Sequence, residues 1–360
     1  MEVIGLFIMC FYGILWVKFL CFTPIPRSVY RSSSCAKSPV WLLIFRNEKE
    51  NVPQLKKQFK EIYTWDLPLE MYLVNDHSTD GSEKELDDFL KSFADRIKLV
   101  HAPHGVNGKK QILSWMGKQF SDRALIVSDA DCLWSKPWYQ QCLHYQGAMG
   151  MVLGPLVIHG NKGMCLRFQR QEQVLLNRMI QRGAERGKGL MASAANMMLL
   201  PPVPWPDWGT TVSGDDHFLM ESYVSKGLPL HFMHQPVATK APENWQAYLH
   251  QRSRWASKIG HMKLNTVRRW GSLVLFSNLL YFFGLGLGCF WPTAWLFLGM
   301  KWMLESAVNL YLRERQAQDT QWLDALIYPL MQPWIHLAVA IHAVKKKQSW
   351  KGRSYSVNGS

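Results

Sequence analysis

Two acidic residues, Asp129 and Asp131, close the apolar run of IVSDADCLW (126–134), and a second acidic pair, Asp215 and Asp216, lies in SGDDHFL. Further polar clusters occur at Arg46-Asn47-Glu48, at Asn75-Asp76-His77-Ser78 and in the basic stretch QRSRW (251–255). Paired carboxylates offer oxygen ligands to a hard divalent cation, which can in turn hold a diphosphate. A separate carboxylate can take the proton of a hydroxyl, and a like-charged neighbour raises its pKa toward that task. A lysine or arginine nearby stabilises the charge that collects on a departing phosphate. Singly these strings are weak. DHSTDGS is also an ordinary loop that caps the next helix, and Asp215-Asp216 is also an ordinary solvated helix start.

The elements around these residues give them an order. VWLLIF (Val40–Phe45) reads as a strand, followed by a turn and a helix at Val52–Tyr63. MYLVND (71–76) repeats the pattern with a helix over 83–93; Ile97–His101 and a helix at 108–120 follow, then a strand at 124–128. This alternation predicts an α/β fold with a mainly parallel, Rossmann-like sheet flanked by helices. Ligands of such sheets bind at the carboxyl ends of the strands. Three of the polar clusters follow three strand ends and should meet on one edge. A helix at 242–258 would carry QRSRW, with Tyr248, Arg252 and Trp255 spaced as on an amphipathic helix lying at a membrane. Trp205, Trp208 and Trp245 suit stacking on sugar or lipid, and equally core packing.

Composition narrows the partners. The chain has 360 residues, 48% hydrophobic, with 17 Trp and a formal net charge of +14. Apolar blocks at 3–22, 273–304 and 322–344 each reach the ~20 residues that a helix needs to cross a bilayer. The first lacks a basic n-region and a small-residue cleavage site, so it reads as an uncleaved anchor. Arg27, Arg31 and Lys37 follow it, which by the positive-inside rule puts the middle of the chain in the cytoplasm. The basic residues cluster at 252–269 and in KKKQSWKGR, beside apolar blocks, where they would face anionic lipid; no nucleic-acid-binding motif accompanies them. The seven cysteines show no CxxC spacing and predict neither a disulfide framework nor a zinc site. The expected division is an anchor at 1–24, a catalytic domain at 37–240, interfacial helices at 241–270, a transmembrane region of two or three spans at 271–344 and a basic cytoplasmic tail at 345–360. A hairpin broken near 288–292 plus one further span would put that tail outside, against its charge, so the span count stays open.

In this order the motifs resemble the family 2 glycosyltransferases of GT-A fold, in their membrane-bound branch. FRNEKEN is similar to the "RNEE-N" loop, LVNDHSTDGS to "VDDGSTDGT", NGKKQIL to "GKxxAL", SDADC to the D-x-D motif, SGDDHFL to "GEDxxL" and QRSRW to "QxxRW". Together they span residues 45 to 255. The resemblance implies an inverting transferase that takes a nucleotide-diphosphate sugar, with a UDP-sugar as the first expectation, and a lipid or lipid-linked acceptor, as in glycolipid or cell-envelope polysaccharide synthesis at the inner membrane. Asp76 would contact the base, with Arg46 and Glu48 nearby, and Lys109 would lie by the nucleotide. Asp129 would sit near ribose and sugar, and Asp131, with Asp129, would hold Mg²⁺ or Mn²⁺ against the diphosphate. Asp216 would be the base beside Asp215, and Gln251, Arg254 and Trp255 would meet acceptor and diphosphate.

The chain departs from the pattern in places. Asn75 replaces the first acid and His77 the glycine of the base-binding loop, and Asp215 stands where Glu is common. ASAANMML (192–199) occupies the place of a Gly-rich acceptor loop, leaving acceptor identity open. A processive polysaccharide synthase is the alternative enzyme, for which the spans look too few; a degenerate sugar-binding or scaffold subunit is the non-enzymatic one, which would not need Asp216. Cys132 reads as a packing residue.

Overall fold

A central strand of a parallel sheet is covered on both faces and therefore reads as an unbroken apolar run. VWLLIF is such a run: as β1 (Val40–Phe45) all six of its residues are buried. The structure, a computed structural model, describes residues 12–14, 37–208, 214–257, 261–315 and 318–343, and the backbone of 347–350 and 353–356. From β1 the chain alternates through α1 (Val52–Tyr63), β2 (Met71–Asn75), α2 (Ser82–Leu90), β3 (Ile97–His101), α3 (Gly108–Gln119) and β4 (Leu125–Asp129). Val52, Leu55, Phe59 and Ile62 form the buried stripe of α1 at the three- and four-residue spacing of an amphipathic helix. Next come β5 (Cys132–Leu133), α4 (Lys136–His144), β6 (Gly150–Leu153), β7 (Leu156–His159), α5 (Met164–Glu185), β8 (Met197–Leu200), α6 (Asp215–Ser225), β9 (Leu230–Phe232), β10 (Val237–Lys240) and α7 (Trp245–Ala256).

Seven strands form one sheet in the order β3-β2-β1-β4-β8-β6-β9, and β5-β10-β7 form a small second sheet. β1 pairs in parallel with β2 and β4, while β8 runs antiparallel to both β4 and β6. The register sets Phe45 beside Asn75, Asn75 beside His101 and Ile44 beside Asp129. The carboxyl ends that carry the polar clusters are thus level on one edge, as expected. Boundaries differ by a residue or two: β4 takes in Asp129, and α6 begins at Asp215, so both acids lie inside its first turn.

The C-terminal part is helical: α8 (Asn265–Gly288), α9 (Thr293–Arg313) and α10 (Trp322–Ala343). The apolar block 273–304 is therefore two helices with a break at 289–292. Among the described residues, α8 is the one helix long and apolar enough to cross a membrane. Of the two or three spans expected, that one meets the requirement of length and apolarity; α9 carries Lys301 and Glu305, buried and paired at 2.7 and 2.8 Å, and α10 contains Pro329 and Pro333. Leu279, Phe283, Leu296, Trp334 and Ile341 on these helices are nevertheless exposed. The anchor expected at 1–24 lies outside the described residues except for Tyr12, Gly13 and Ile14; Tyr12 bonds to Glu305 and Ser277. Of the basic tail, β11 (Lys347–Trp350) and β12 (Arg353–Ser356) are described and form an antiparallel ribbon.

Sheet and helices are joined through α5. Gln171 donates to Asn309 Oδ1 at 3.0 Å, Arg167 pairs with Asp324 at 2.6 Å, and Phe168 packs on Tyr328 with ring centres 4.8 Å apart. Glu221 of α6 accepts from the backbone N–H groups of Lys263 and Leu264, tying α6 to the entry of α8.

Candidate active site

The corner that carries Asp129 and Asp131 rests on an aromatic floor. Trp41 is fully buried, edge-on to Trp134 and Trp138 at 5.0 Å and stacked on Tyr139 at 5.6 Å. Trp134 Nε1 donates to Ser128 Oγ at 2.6 Å, and Ser128 donates to Ala195 O at 2.8 Å. Trp138 Nε1 donates to Asn196 Oδ1 at 2.9 Å, whose Nδ2 donates in turn to Pro155 O. The loop 192–196 is thereby fixed against the end of β4. Gly154 is required there, because a Cβ would stand 2.2 Å from Asn196 Nδ2. Cys132 is buried and its thiol is pushed well up in pKa by burial, with Asp131 and Asp129 acting the same way, so it packs as expected.

Lys109, one residue into α3, is the hub. Its Nζ bonds Asp129 Oδ1 and lies 3.6 Å from Asp215 Oδ2. Burial works against its charge, but Asp129, Asp215 and Asp216 outweigh burial and hold the ammonium well above the usual lysine range. Arg254 of α7 is drawn to the same acids: burial lowers its pKa, while Asp129 and Asp215 act the other way. Its Nε is buried with no hydrogen-bond partner among the described residues. A buried donor left open in this way can take a water or a ligand oxygen. β4, α3, α6 and α7 thus contribute Asp129, Lys109, Asp215 with Asp216, and Arg254 to one cluster.

Asp215 and Asp216 enter this cluster because Gly214 turns the chain at φ +99°, a left-handed conformation open to glycine. In the first turn of α6 their carboxylates are also favoured by the helix dipole. Asp216 Oδ1 accepts from the backbone N–H of His217 at 2.8 Å and lies 3.0 Å from His217 Nδ1. Lys110, the neighbour of Lys109, is buried over the Phe218 ring at 4.7 Å and donates to Trp208 O, which locks α3 to α6.

Other expected site residues take different positions. Asp76 is buried, and its Oδ1 accepts from Gly108 N at 3.1 Å, capping α3 just before Lys109. Arg46 donates to the backbone carbonyls of Asp76 and His77 at 2.6 and 2.7 Å, clamping the loop after β2 to the loop after β1, and Asn47 and His77 of these loops both hold positive φ. Glu48 accepts from Asn51 Nδ2 at 2.6 Å. Gln251 and Trp255 gather around Arg252 rather than the acids: Gln251 accepts from Arg252 at 2.5 Å, and the guanidinium lies 4.1 Å from the Trp255 ring centre. The stripe expected to lie on a membrane instead faces the protein. Tyr248 is fully buried, and Arg252 forms a buried ion pair with Glu172 of α5 at 2.5 Å. Trp205 packs so closely on α3 that Gly117 has no room for a Cβ, Trp208 donates to Ser114 Oγ, and Trp245 packs on Phe168. His217, Lys110 and Glu172 are the residues that sequence reasoning missed; the acid-acid-His string was the available signal for the first.

Residues 41–200, from β1 through β8, match the family model described as Glycosyl transferase family 2. The protein is a glycosyltransferase. No curated protein matches its sequence. Among solved structures, the glycosyltransferase is similar to mannosyltransferase PcManGT from Pyrobaculum calidifontis in complex with GDP-Man and Mn²⁺, at 13% identity and a TM-score of 0.58, with 96% of each chain covered. GalNAc-T7 with UDP, GalNAc and Mn²⁺ is 12% identical, with a TM-score of 0.44 over 63% of this chain and 51% of that one. TarS 1-349 of S. aureus with UDP-GlcNAc is 11% identical, with a TM-score of 0.43 over 89% and 96%. The PcManGT likeness shows a shared GT-A-like fold that takes in the C-terminal helices as well as the sheet. The family match contains Asp76, Lys109, Asp129 and Asp131 of the glycosyltransferase. It ends before Asp215, Asp216 and Arg254, which Lys109 and the acids connect to it.

Proposed function

We propose that this glycosyltransferase is membrane-anchored and inverting, and moves a sugar from a nucleotide-diphosphate sugar to a lipid or lipid-linked acceptor. The single observation that carries this reading is Lys109, bonded to Asp129 and within 3.6 Å of Asp215, which ties the donor-side carboxylate to the pair that holds the base. Among the described residues no three His, Cys, Asp or Glu side chains are grouped as a metal cage. Asp131 with Asp129 supplies part of the six or more oxygens that a hard cation takes, and a diphosphate with water fits the remainder. Mg²⁺ or Mn²⁺ bound there would neutralise charge on the departing diphosphate.

The chain's own residues do the rest. Asp76 and the loop that Arg46 clamps receive the nucleotide base. Lys109 and Arg254 stabilise negative charge as the bond from the anomeric carbon to the diphosphate oxygen breaks, its electron pair leaving with the nucleoside diphosphate. Asp216 takes the acceptor hydroxyl's proton while that oxygen bonds the anomeric carbon from the opposite face, and one such displacement inverts the centre. The apolar faces of α8 and α10 and the net charge of +14 support a membrane site, with the catalytic domain on the cytoplasmic side.

Purified full-length protein in detergent, given Mn²⁺ and a panel of UDP- and GDP-sugars with membrane lipid extract, should yield a lipid one sugar heavier by mass spectrometry. A ladder of additions would mean a processive synthase. Nucleotide release without any lipid product would refute the acceptor class.

A further inference from the structure

The residue after the proposed base is a histidine, buried to 5% exposure at the start of α6. Its Nδ1 lies 3.0 Å from Asp216 Oδ1, the same oxygen that accepts from its backbone N–H at 2.8 Å. A bond from a buried ring narrows the torsions open to the carboxylate beyond what its backbone bond fixes. Because a carboxylate only accepts, the ring that bonds it carries a proton on Nδ1.

We propose that His217 is the positioning residue of Asp216, holding the base carboxylate toward the acceptor hydroxyl through its Nδ1–H bond. The inference rests on the reading of Asp216 as the base. The hydroxyl proton goes to Asp216 as the new bond to the anomeric carbon forms, and the nucleoside diphosphate leaves with the electrons of the bond that breaks; His217 exchanges no proton.

The test uses the full chain in detergent with Mn²⁺, following nucleoside diphosphate release from UDP-glucose, UDP-GlcNAc and GDP-mannose. His217→Leu and His217→Phe remove the donor and keep bulk, whereas His217→Asn keeps an N–H near the position of Nδ1. Losing a hydrogen bond to a charged group should lower kcat by about 10- to 100-fold. KM and nucleotide affinity should stay unchanged, the signature of an interaction used in the transition state. His217→Asn should recover kcat to within about threefold of wild type, a rescue that packing alone does not give. Wild-type kcat in a donor-free variant, or Asn as slow as Leu and Phe with all three folded and binding nucleotide, would overturn the proposal. Asp216→Asn run alongside separates the two readings: if it turns over normally the base reading fails and this one with it, whereas a dead Asp216→Asn beside an active His217→Leu sinks this one alone.

Discussion

Replacing Lys109 by Met removes the cation that, among the described residues, bonds Asp129, and leaves Asp129 and Asp215 without the ammonium between them. Lys109 Nζ lies 3.6 Å from Asp215 Oδ2, and the two side chains are 15% and 14% exposed. A unit charge pair at that distance is worth at most about 4–5 kcal/mol at an effective dielectric constant near 20. Asp129 is 40% exposed and more strongly screened. A diphosphate entering a pocket one positive charge poorer should lose roughly 2–3 kcal/mol, which weakens its Kd by about 30- to 150-fold. The sign reverses for a cation. Mn²⁺ alone should bind Lys109→Met no more weakly than wild type, since the same carboxylates are released from the ammonium. Titration calorimetry with UDP and GDP, paired with Mn²⁺ titration, reads both quantities, and a thermal melt reports whether the variant is folded. Lys109→Arg should restore most of the nucleotide affinity. Nucleotide affinity within about threefold of wild type in a folded Lys109→Met would refute the electrostatic reasoning.

Glu172→Gln leaves the buried Arg252 without its counter-charge and should destabilise the protein by about 3–5 kcal/mol in denaturant unfolding, while Glu172→Leu with Arg252→Met should recover much of it. His231 is held neutral by burial, a depression only partly offset by its bond to Met149 O, so its folded pKa lies below its unfolded value. The unfolded chain then binds the extra proton, and stability should fall as pH drops from about 6.5 toward the folded pKa; His231→Gln should flatten that slope in melts between pH 5 and 8. His159, depressed by burial and then by Lys240 and Arg170, should leave a smaller slope of the same sign in His231→Gln.

The first half of the fold was legible because β1 to β4 are apolar runs separated by amphipathic helices, and a parallel sheet follows from that alternation. β6, β8 and β9 are three or four residues long. Their mixed directions depend on pairing across tens of residues, which no local pattern encodes. In the site, the strand ends of β1, β2 and β4 lie level as the alternation implies, whereas the approach of Lys109 and Asp215, each in the first turn of a helix, to Asp129 follows from no strand-end pattern. The QRSRW helix was legible as a helix but not in its facing: Glu172, 80 residues away, decides that Arg252 turns inward and takes Gln251 and Trp255 with it. A one-dimensional string does not show that the Arg46 guanidinium is engaged by the backbone of the next loop. The break at 289–292 was marked by Pro292. Lys301 and Glu305 lie in the middle of α9, and Pro329 and Pro333 interrupt α10.

The most direct test of the site is sugar transfer and donor binding measured on the same preparation of Asp216→Asn. General base catalysis contributes about 10²- to 10⁴-fold, so transfer should fall by at least about 100-fold while nucleotide-sugar Kd stays at the wild-type value. Transfer at the wild-type rate, or a parallel loss of donor binding, would contradict the assignment of Asp216 as the base of this glycosyltransferase.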